Sequence, residues 1–280
     1  MPHYMASNSP PLRPGQKRSS RQRDPKETAQ DSSKEKGAWS SVASILWIVA
    51  LVVALRTIVF EPFYIPSGSM QPTLKIGDWI VADKWSYGYN RRSLPFDPPL
   101  GDWRIGGRTP DYGDVIIFSK YDRTAGQHIH VIKRVVGKPG DRITYENEQL
   151  SINAVPVPRE EVFAGPLSLY RPEVPRGSAG RIREVPVHHY AVTLPDGRRH
   201  LEQILDGRRS AEGSWVVPEG HVFVMGDNRH ASGDARFPSF YPDGGVPLHD
   251  IIGQARFVVF SLDRSSGFNL RWGRFFHWIR

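Results

Sequence analysis

The chain has 280 residues, a net charge of +8 and a hydrophobic fraction of 39%, enough for one sizeable domain or a core carrying an insertion. It has no cysteine, which excludes a disulfide framework, a thiol nucleophile and thiolate metal sites. Its 24 prolines and 26 glycines favour turns, loops and short strands over helices.

Residues 1–37 are rich in Pro, Ser, Gln, Lys and Arg with almost no aliphatic side chains. Such a segment buries too little apolar surface to offset its ordering entropy and is expected to be a disordered basic tail. Its cations, Lys17, Arg18, Arg21, Arg23, Lys26, Lys34 and Lys36, come without any nucleic-acid recognition motif. They read as a topology signal beside acidic lipid, with no nucleic acid as partner. Residues 38–60 invert this character, with the run SVASILWIVALVVALRTIVF. About 20 such residues span a bilayer as a helix, and Arg56, near the far end, can snorkel to the interface. A buried core helix would show a polar face, and a cleavable leader would sit nearer the start and end at small residues. The run therefore predicts a single transmembrane helix, with residues 1–37 cytoplasmic and everything after Phe60 outside.

After the anchor the pattern turns to β. Short apolar runs occur at Asp78–Ala82, Asp114–Phe118, His130–Val136, His221–Met225 and Gln254–Phe260, most of them bounded by turn residues. Residues 86–112 read as an extended hairpin or loop. Residues 151–215 are Pro- and Arg-rich, with a weak strand signal at Tyr190–Leu194, and predict an inserted subdomain. It would divide a β core into residues 61–150 and 216–265. Residues 266–280 form a basic aromatic tail with Trp272, Phe275, Phe276 and Trp278, either packed on the core or seated in a headgroup layer.

Three segments could carry chemistry. Ile65-Pro66-Ser67-Gly68-Ser69-Met70-Gln71-Pro72-Thr73-Leu74 forces a tight, irregular backbone. It is either an ordinary turn or one that exposes a serine hydroxyl beside a backbone N–H, as acyl transfer requires. In Val131-Ile132-Lys133-Arg134-Val135-Val136 successive side chains face opposite sides of a strand. One basic side chain must therefore share a face with the core unless both heads reach water at an edge. A buried lysine loses its proton readily and can then act as a base. Met225-Gly226-Asp227-Asn228-Arg229-His230-Ala231-Ser232-Gly233-Asp234-Ala235-Arg236 ends a strand in a sharp turn. There Asp234 can pair locally with Arg236 or reach Arg134 across the core. Competing readings are a polar hairpin loop, a metal cluster of Asp227, His230 and Asp234, and a Ser–His–Asp triad using His128, His130, His221 or His230.

Taken together and in this order, these segments resemble the signature boxes of type I signal peptidases, the leader peptidases of the Ser–Lys peptidase family S26. The resemblance runs from Arg56 to Leu74, Gly113 to Phe118, Ile132 to Asp141, Gly226 to Arg236 and Ile251 to Ala255. It implies a mostly β fold, a core of antiparallel sheets with an inserted subdomain, preceded by the transmembrane helix. It implies Ser69 as nucleophile, Lys133 as general base, and the Ser67 hydroxyl beside the Ser69 N–H as the oxyanion hole. Ser232 would orient the lysine, and Arg134, Asp234 and Arg236 would form a supporting ion network. Phe63, Ile65, Pro66, Met70, Leu74 and Ile132 would line the substrate pocket. The implied activity is removal of signal peptides from exported preproteins after Ala-x-Ala-like sites, with no cofactor and no metal. The implied partners are preproteins, the bilayer and the secretion translocon, and the implied place is the bacterial inner membrane with the catalytic part on the extracytoplasmic side. Two departures stand out: Ala235 where the family usually has Ser, and no Gly after Arg236 in Phe237-Pro238-Ser239-Phe240-Tyr241. Rival classes are a self-cleaving repressor of the same clan, which would need a DNA-binding amino-terminal domain, a non-enzymatic anchored β scaffold, and a mitochondrial or archaeal relative.

Overall fold

A computed structural model of the chain describes residues 42–53, 59–94, 101, 103–123, 125–162, 169–170, 185–207, 210–239, 241–263 and 268–279. The chain divides into two units, Met1–Val52 and Val53–Arg280. Residues 42–53 are helical, with Ile45, Leu46, Trp47 and Ile48 exposed. Among the described residues no helix is long and apolar enough to cross a membrane. The expected tail, residues 1–37, and most of the rest of the expected span, residues 38–41 and 54–58, lie outside the described residues.

The second unit is built from antiparallel sheets. The strands that matter are β1 (Phe60–Tyr64), β2 (Asp78–Asp83), β3 (Val115–Asp122), β4 (Gln127–Gly137), β5 (Arg142–Glu146), β6 (Gln149–Ile152), β7 (Val185–Thr193), β8 (Arg199–Leu205), β9 (Gly213–Val216), β10 (His221–Met225) and β11 (Ile251–Asp263). The largest sheet runs β1–β2–β11–β3–β4–β10, then Val246–Pro247. Each pair along it is antiparallel. β3 lies inside this sheet and buries its first five residues in succession, which is why Val115-Ile116-Ile117-Phe118 is continuously apolar rather than alternating. β4 changes character along its length. Its first half, Gln127 to Ile132, is exposed or half-buried, and Lys133 to Gly137 are all buried. Each of the five expected apolar runs falls on one of these strands, with Asp114 just ahead of β3 and with β2, β3, β4 and β11 extending beyond the run.

The expected insertion contains two further sheets. One, in the order β9–β5–β6 and then Val155–Pro156, crosses the boundary expected at residues 150/151. The other is a hairpin of β7 and β8, paired from Val187↔Leu205 to Thr193↔Arg199, with Arg159–Glu161 and Leu169–Tyr170 added to β7. The weak signal at Tyr190–Leu194 is thus the end of a nine-residue strand. The hairpin turns at Gly197, whose φ of 83° suits glycine. β8 then meets the core directly, through a parallel bridge between Gln203 and Asn228.

Two apolar clusters hold the unit together. One gathers Phe118, Val135, Tyr145, Phe223 and Ala235; the other gathers Ile65, Met70, Leu74, Ile80, Ile117 and Val258. Each fully buried Leu or Met of this kind contributes about 2 kcal/mol of transfer free energy. The carboxy-terminal segment is packed: His277–Trp278 pairs with Val258 and Phe257 of β11, and Ile279 rests on the second cluster. It nevertheless turns Phe268, Trp272, Phe276 and Trp278 outward, between 63% and 83% exposed.

Candidate active site

The segment from Ile65 to Leu74 is fixed by its ends and its buried side chains. The Ile65 N–H donates to Asp78 O at 2.9 Å, and Gly77 N–H returns to Ile65 O at 3.0 Å. Met70 and Leu74 are 0% exposed, and the Leu74 N–H donates to Met70 O at 2.9 Å. These anchors pull the segment onto the core from below and leave Ser67 exposed and Ser69 half-buried on top. The two hydroxyls are 3.5 Å apart.

β4 brings the lysine to this turn from the other side. Lys133 Nζ lies 2.9 Å from Ser69 Oγ and donates to Ile132 O at 2.8 Å, and the residue is 4% exposed. Burial pushes its pKa down to about 8; the fields of Asp234 and Asp227 oppose that fall, and Lys120 adds to it. An amine of that pKa is partly neutral at physiological pH, so it can take a proton from a hydroxyl within hydrogen-bonding reach.

Strand alternation left open which of Lys133 and Arg134 enters the core. Both are buried, Arg134 to 1% exposure, because β4 is covered on both faces at this point. Arg134 is carried by a bidentate pair, Nε to Asp227 Oδ1 at 2.8 Å and Nη2 to Asp227 Oδ2 at 2.7 Å, and its Nη1 donates to Gly113 O at 2.7 Å. Thr73 Oγ1 adds a donation to Asp227 Oδ2 at 2.5 Å. Burial raises the Asp227 pKa and Arg134 lowers it, with a net fall. Asp234 takes the local alternative. It pairs with Arg236 at 2.8 Å and accepts from the Gly226 N–H at 3.0 Å. Arg134, Asp234 and Arg236 thus belong to two separate ion pairs. Asp227, singled out in the sequence only as a metal candidate, is the partner of Arg134. The Gly-Asp turn beside an apolar strand was the signal that could have found it.

Ser232 is 6% exposed and lies against Gly226. A Cβ at Gly226 would run into both Ser232 Oγ and the Ser69 carbonyl. The Ser232 hydroxyl makes no hydrogen bond to Lys133, whose partners are Ser69 Oγ and Ile132 O; it lies by Asp234 and helps to lower the pKa of that carboxyl. Two further buried groups were not read from sequence: Asn228, bonded to Gly68 O at 3.2 Å, and Glu202, paired with Arg229 at 2.7 Å.

A groove of about 240 Å³ runs past Ser69 and Lys133. Of the expected pocket residues, Phe63, Ile65, Pro66 and Ile132 line it, and so do Tyr64, Ile129 and His130. Met70 and Leu74 lie beneath it in the second apolar cluster. A larger groove of about 760 Å³ is walled by Thr73, His200 and Phe275 to Trp278, away from the serine and the lysine. The histidines of the triad reading are engaged elsewhere: His128 with Ser119, His221 with Glu219 O, and His230 with Leu205. His130 packs edge-on against Phe63 at 5.3 Å. Among the described residues no group of three or more His, Cys, Asp or Glu could hold a metal ion.

Comparison with known proteins bears on this arrangement. The family described as signal peptidase, peptidase S26, matches residues 38–260. Signal peptidase I of Rickettsia typhi is 32% identical over 229 residues, covering 78% of this chain and 79% of its own. That of Haemophilus influenzae is 31% identical, covering 85% and 75%, and that of Pseudomonas fluorescens is 35% identical, covering 74% and 67%. A crystal structure of a signal peptidase I from Enterococcus faecalis is 25% identical, with 52% of this chain and 97% of that chain covered and a TM-score of 0.28, too low for any geometry to be carried across. A match over most of the chain, with relatives above 30% identity along most of their own length, means that the chain belongs to the signal peptidases of family S26 and is a protease that removes signal peptides.

Proposed function

We propose that Ser69 is the nucleophile and Lys133 the general base of this protease, and that it cuts after small residues in an Ala-x-Ala-like pattern. The observation that carries the reading is the 2.9 Å contact between Lys133 Nζ and Ser69 Oγ, made by an amine that burial has brought to a pKa of about 8. In the first step Ser69 Oγ bonds to the scissile carbonyl carbon, its proton passes to Lys133, and the carbonyl electron pair moves to oxygen. The leaving amine takes that proton as the C–N bond breaks, giving an acyl-enzyme. Lys133 then takes a proton from water, whose oxygen bonds to the acyl carbon, and returns it to Ser69 Oγ as the ester C–O bond breaks. The Ser69 N–H and the exposed Ser67 hydroxyl are the oxyanion donors, each worth roughly 3–4 kcal/mol in comparable sites. No metal or cofactor takes part.

In this reading Ser232 orients the lysine, and Arg134, Asp234 and Arg236 support the two loops that meet there. The substrate lies extended in the groove and adds a strand. Support comes from β4, where the described pairings to β10 begin only at Arg134 and leave residues 127–133 an edge on that side. Phe63, Ile65, Pro66 and Ile132 form shallow apolar walls that admit alanine, with Met70 and Leu74 as their floor.

The apolar run 38–60 is the membrane anchor, residues 1–37 the cytoplasmic tail, and the catalytic part faces the extracytoplasmic side of a bacterial inner membrane. Residues 61–150 and 216–265 form the catalytic core, residues 151–215 the insertion and residues 266–280 the tail. The bilayer and the secretion translocon are the expected partners beside the preproteins. Tethering keeps the serine where a signal peptide's apolar segment ends and raises the local concentration of the scissile bond. The test is to incubate the detergent-solubilised protein with an Ala-x-Ala preprotein and sequence the new amino terminus. Cleavage after that motif, absent in Ser69→Ala, is expected; processing by the Ser69→Ala protein would overturn the assignment.

A further inference from the structure

We infer that Asn228 positions the backbone oxyanion donor of Ser69, and that strand β8 of the insertion holds Asn228 in place. This rests on the reading of Ser69 as nucleophile. The Gly68–Ser69 peptide bond is trans, so its C=O and N–H point in opposite directions within one rigid plane. Asn228 Nδ2 donates to Gly68 O at 3.2 Å, and the Asn228 N–H donates to Ser69 O at 3.1 Å. Asn228 therefore grips the two peptide planes that flank the Ser69 Cα. It is 0% exposed and grips them from the buried side, so the Ser69 N–H is aimed away from it, toward the open side of the turn. The turn's own bond, from the Gln71 N–H to Gly68 O at 3.1 Å, is the other donor to that carbonyl, so two donors fix the orientation of the plane where one would fix only a direction.

Asn228 is itself held from the insertion. The Gln203 N–H donates to Asp227 O at 2.8 Å and the Arg229 N–H donates to Gln203 O at 2.9 Å, so the residues on either side of Asn228 are tied to one residue of β8. Beside that bridge, Glu202 and Arg229 form an ion pair at 2.7 Å with side chains 3% and 1% exposed. Removing one member of such a pair strands the other charge in the interior. The chain of contacts runs from β8 through Arg229 and Asn228 to the Gly68–Ser69 plane, which makes the insertion part of the reaction machinery.

The probe is an alanine-terminated peptide aldehyde. Ser69 Oγ adds to its carbonyl carbon, the proton passes to Lys133, and the new oxyanion sits where the Ser69 N–H points. The matching peptide alcohol reports groove binding alone. Asn228→Ala is expected to weaken aldehyde binding about 10- to 100-fold and to lower kcat by a similar factor, leaving alcohol binding, KM and the pH profile nearly unchanged. Glu202→Gln is expected to give a smaller loss in the same quantities, and no further loss on the Asn228→Ala background. Glu202→Asp, which keeps the charge, takes its place if Glu202→Gln does not fold. The inference fails if Asn228→Ala binds the aldehyde as tightly as the unmodified enzyme, or if the two losses multiply. Failure of the unmodified enzyme to form a serine adduct would instead count against Ser69 as nucleophile.

Discussion

Two lysines in this protein are buried to the same 4% exposure, and their surroundings differ in one respect. Lys84, just beyond β2, meets the Glu61 carboxylate at 2.9 Å and the Ser93 carbonyl at 2.8 Å. Lys133, in β4, meets a hydroxyl and a carbonyl. The two carboxylates whose fields reach it, Asp227 and Asp234, are each gripped by an arginine. A desolvated ammonium needs an anion beside it or it sheds its proton. Burial by itself therefore does not make a base. The β4 site combines burial with carboxylates committed elsewhere, whereas the β2 site offers Glu61 and is a structural ion pair.

Exchanging each lysine tests this contrast. Lys133→Met is expected to lower processing by at least about 10³-fold while folding is retained or improved. The sign follows from linkage. The folded pKa of about 8 lies below the unfolded value of about 10.4, so the unfolded chain binds more protons between the two. In that window stability rises with pH, and below pH 8 the full penalty of roughly 3 kcal/mol is present. Denaturant melts of Lys133→Met at pH 7 should show that penalty relieved; a large loss of stability would mean the amine was a structural partner. The same pKa predicts the rate: kcat/KM for a preprotein should fall about tenfold per pH unit below pH 8, roughly 100-fold by pH 6. A limb near the ordinary lysine value would remove the distinction between the two sites. Lys84→Met should do the opposite of Lys133→Met. Leaving Glu61, whose side chain is 22% exposed, without its cation is expected to cost roughly 2 kcal/mol of stability, with the rate per folded molecule within a factor of about three. The smallest effect is expected from Thr73→Val. It deletes one donor to Asp227 and should cost about 1 kcal/mol and little activity, since Arg134 still holds that carboxylate on two bonds.

Local patterns carried much of this. Short apolar runs bounded by turn residues located five core strands, because strand burial writes itself directly into sequence. The Ser-Gly-Ser-Met box and the Lys-Arg pair in an apolar strand pointed to the residues that meet at 2.9 Å. What sequence left open were the contacts between distant segments. That Arg134 pairs with Asp227 and not Asp234 depends on the register of β4 against β10, where Arg134 faces Met225. Glu202 was invisible, since an acidic residue in a strand reads as solvent-facing until a buried arginine from another segment is found beside it. Met70 and Leu74 show a similar limit: apolar residues in the Ser69 turn can line the groove or anchor the turn beneath it, and only their complete burial distinguishes the two.

The pairing of β2 with β11 joins Asp83 to Gln254, residues from opposite ends of the catalytic unit. β4 and β10 likewise join across the insertion. Such a topology closes late, because long loops must be ordered before their contacts can form. A ribosome that has released Ser69 and Lys133 has still not made Asn228 or β11, so the nascent chain carries both side chains without the frame that sets them. The segments that frame Ser69 and Lys133 are therefore synthesised after them.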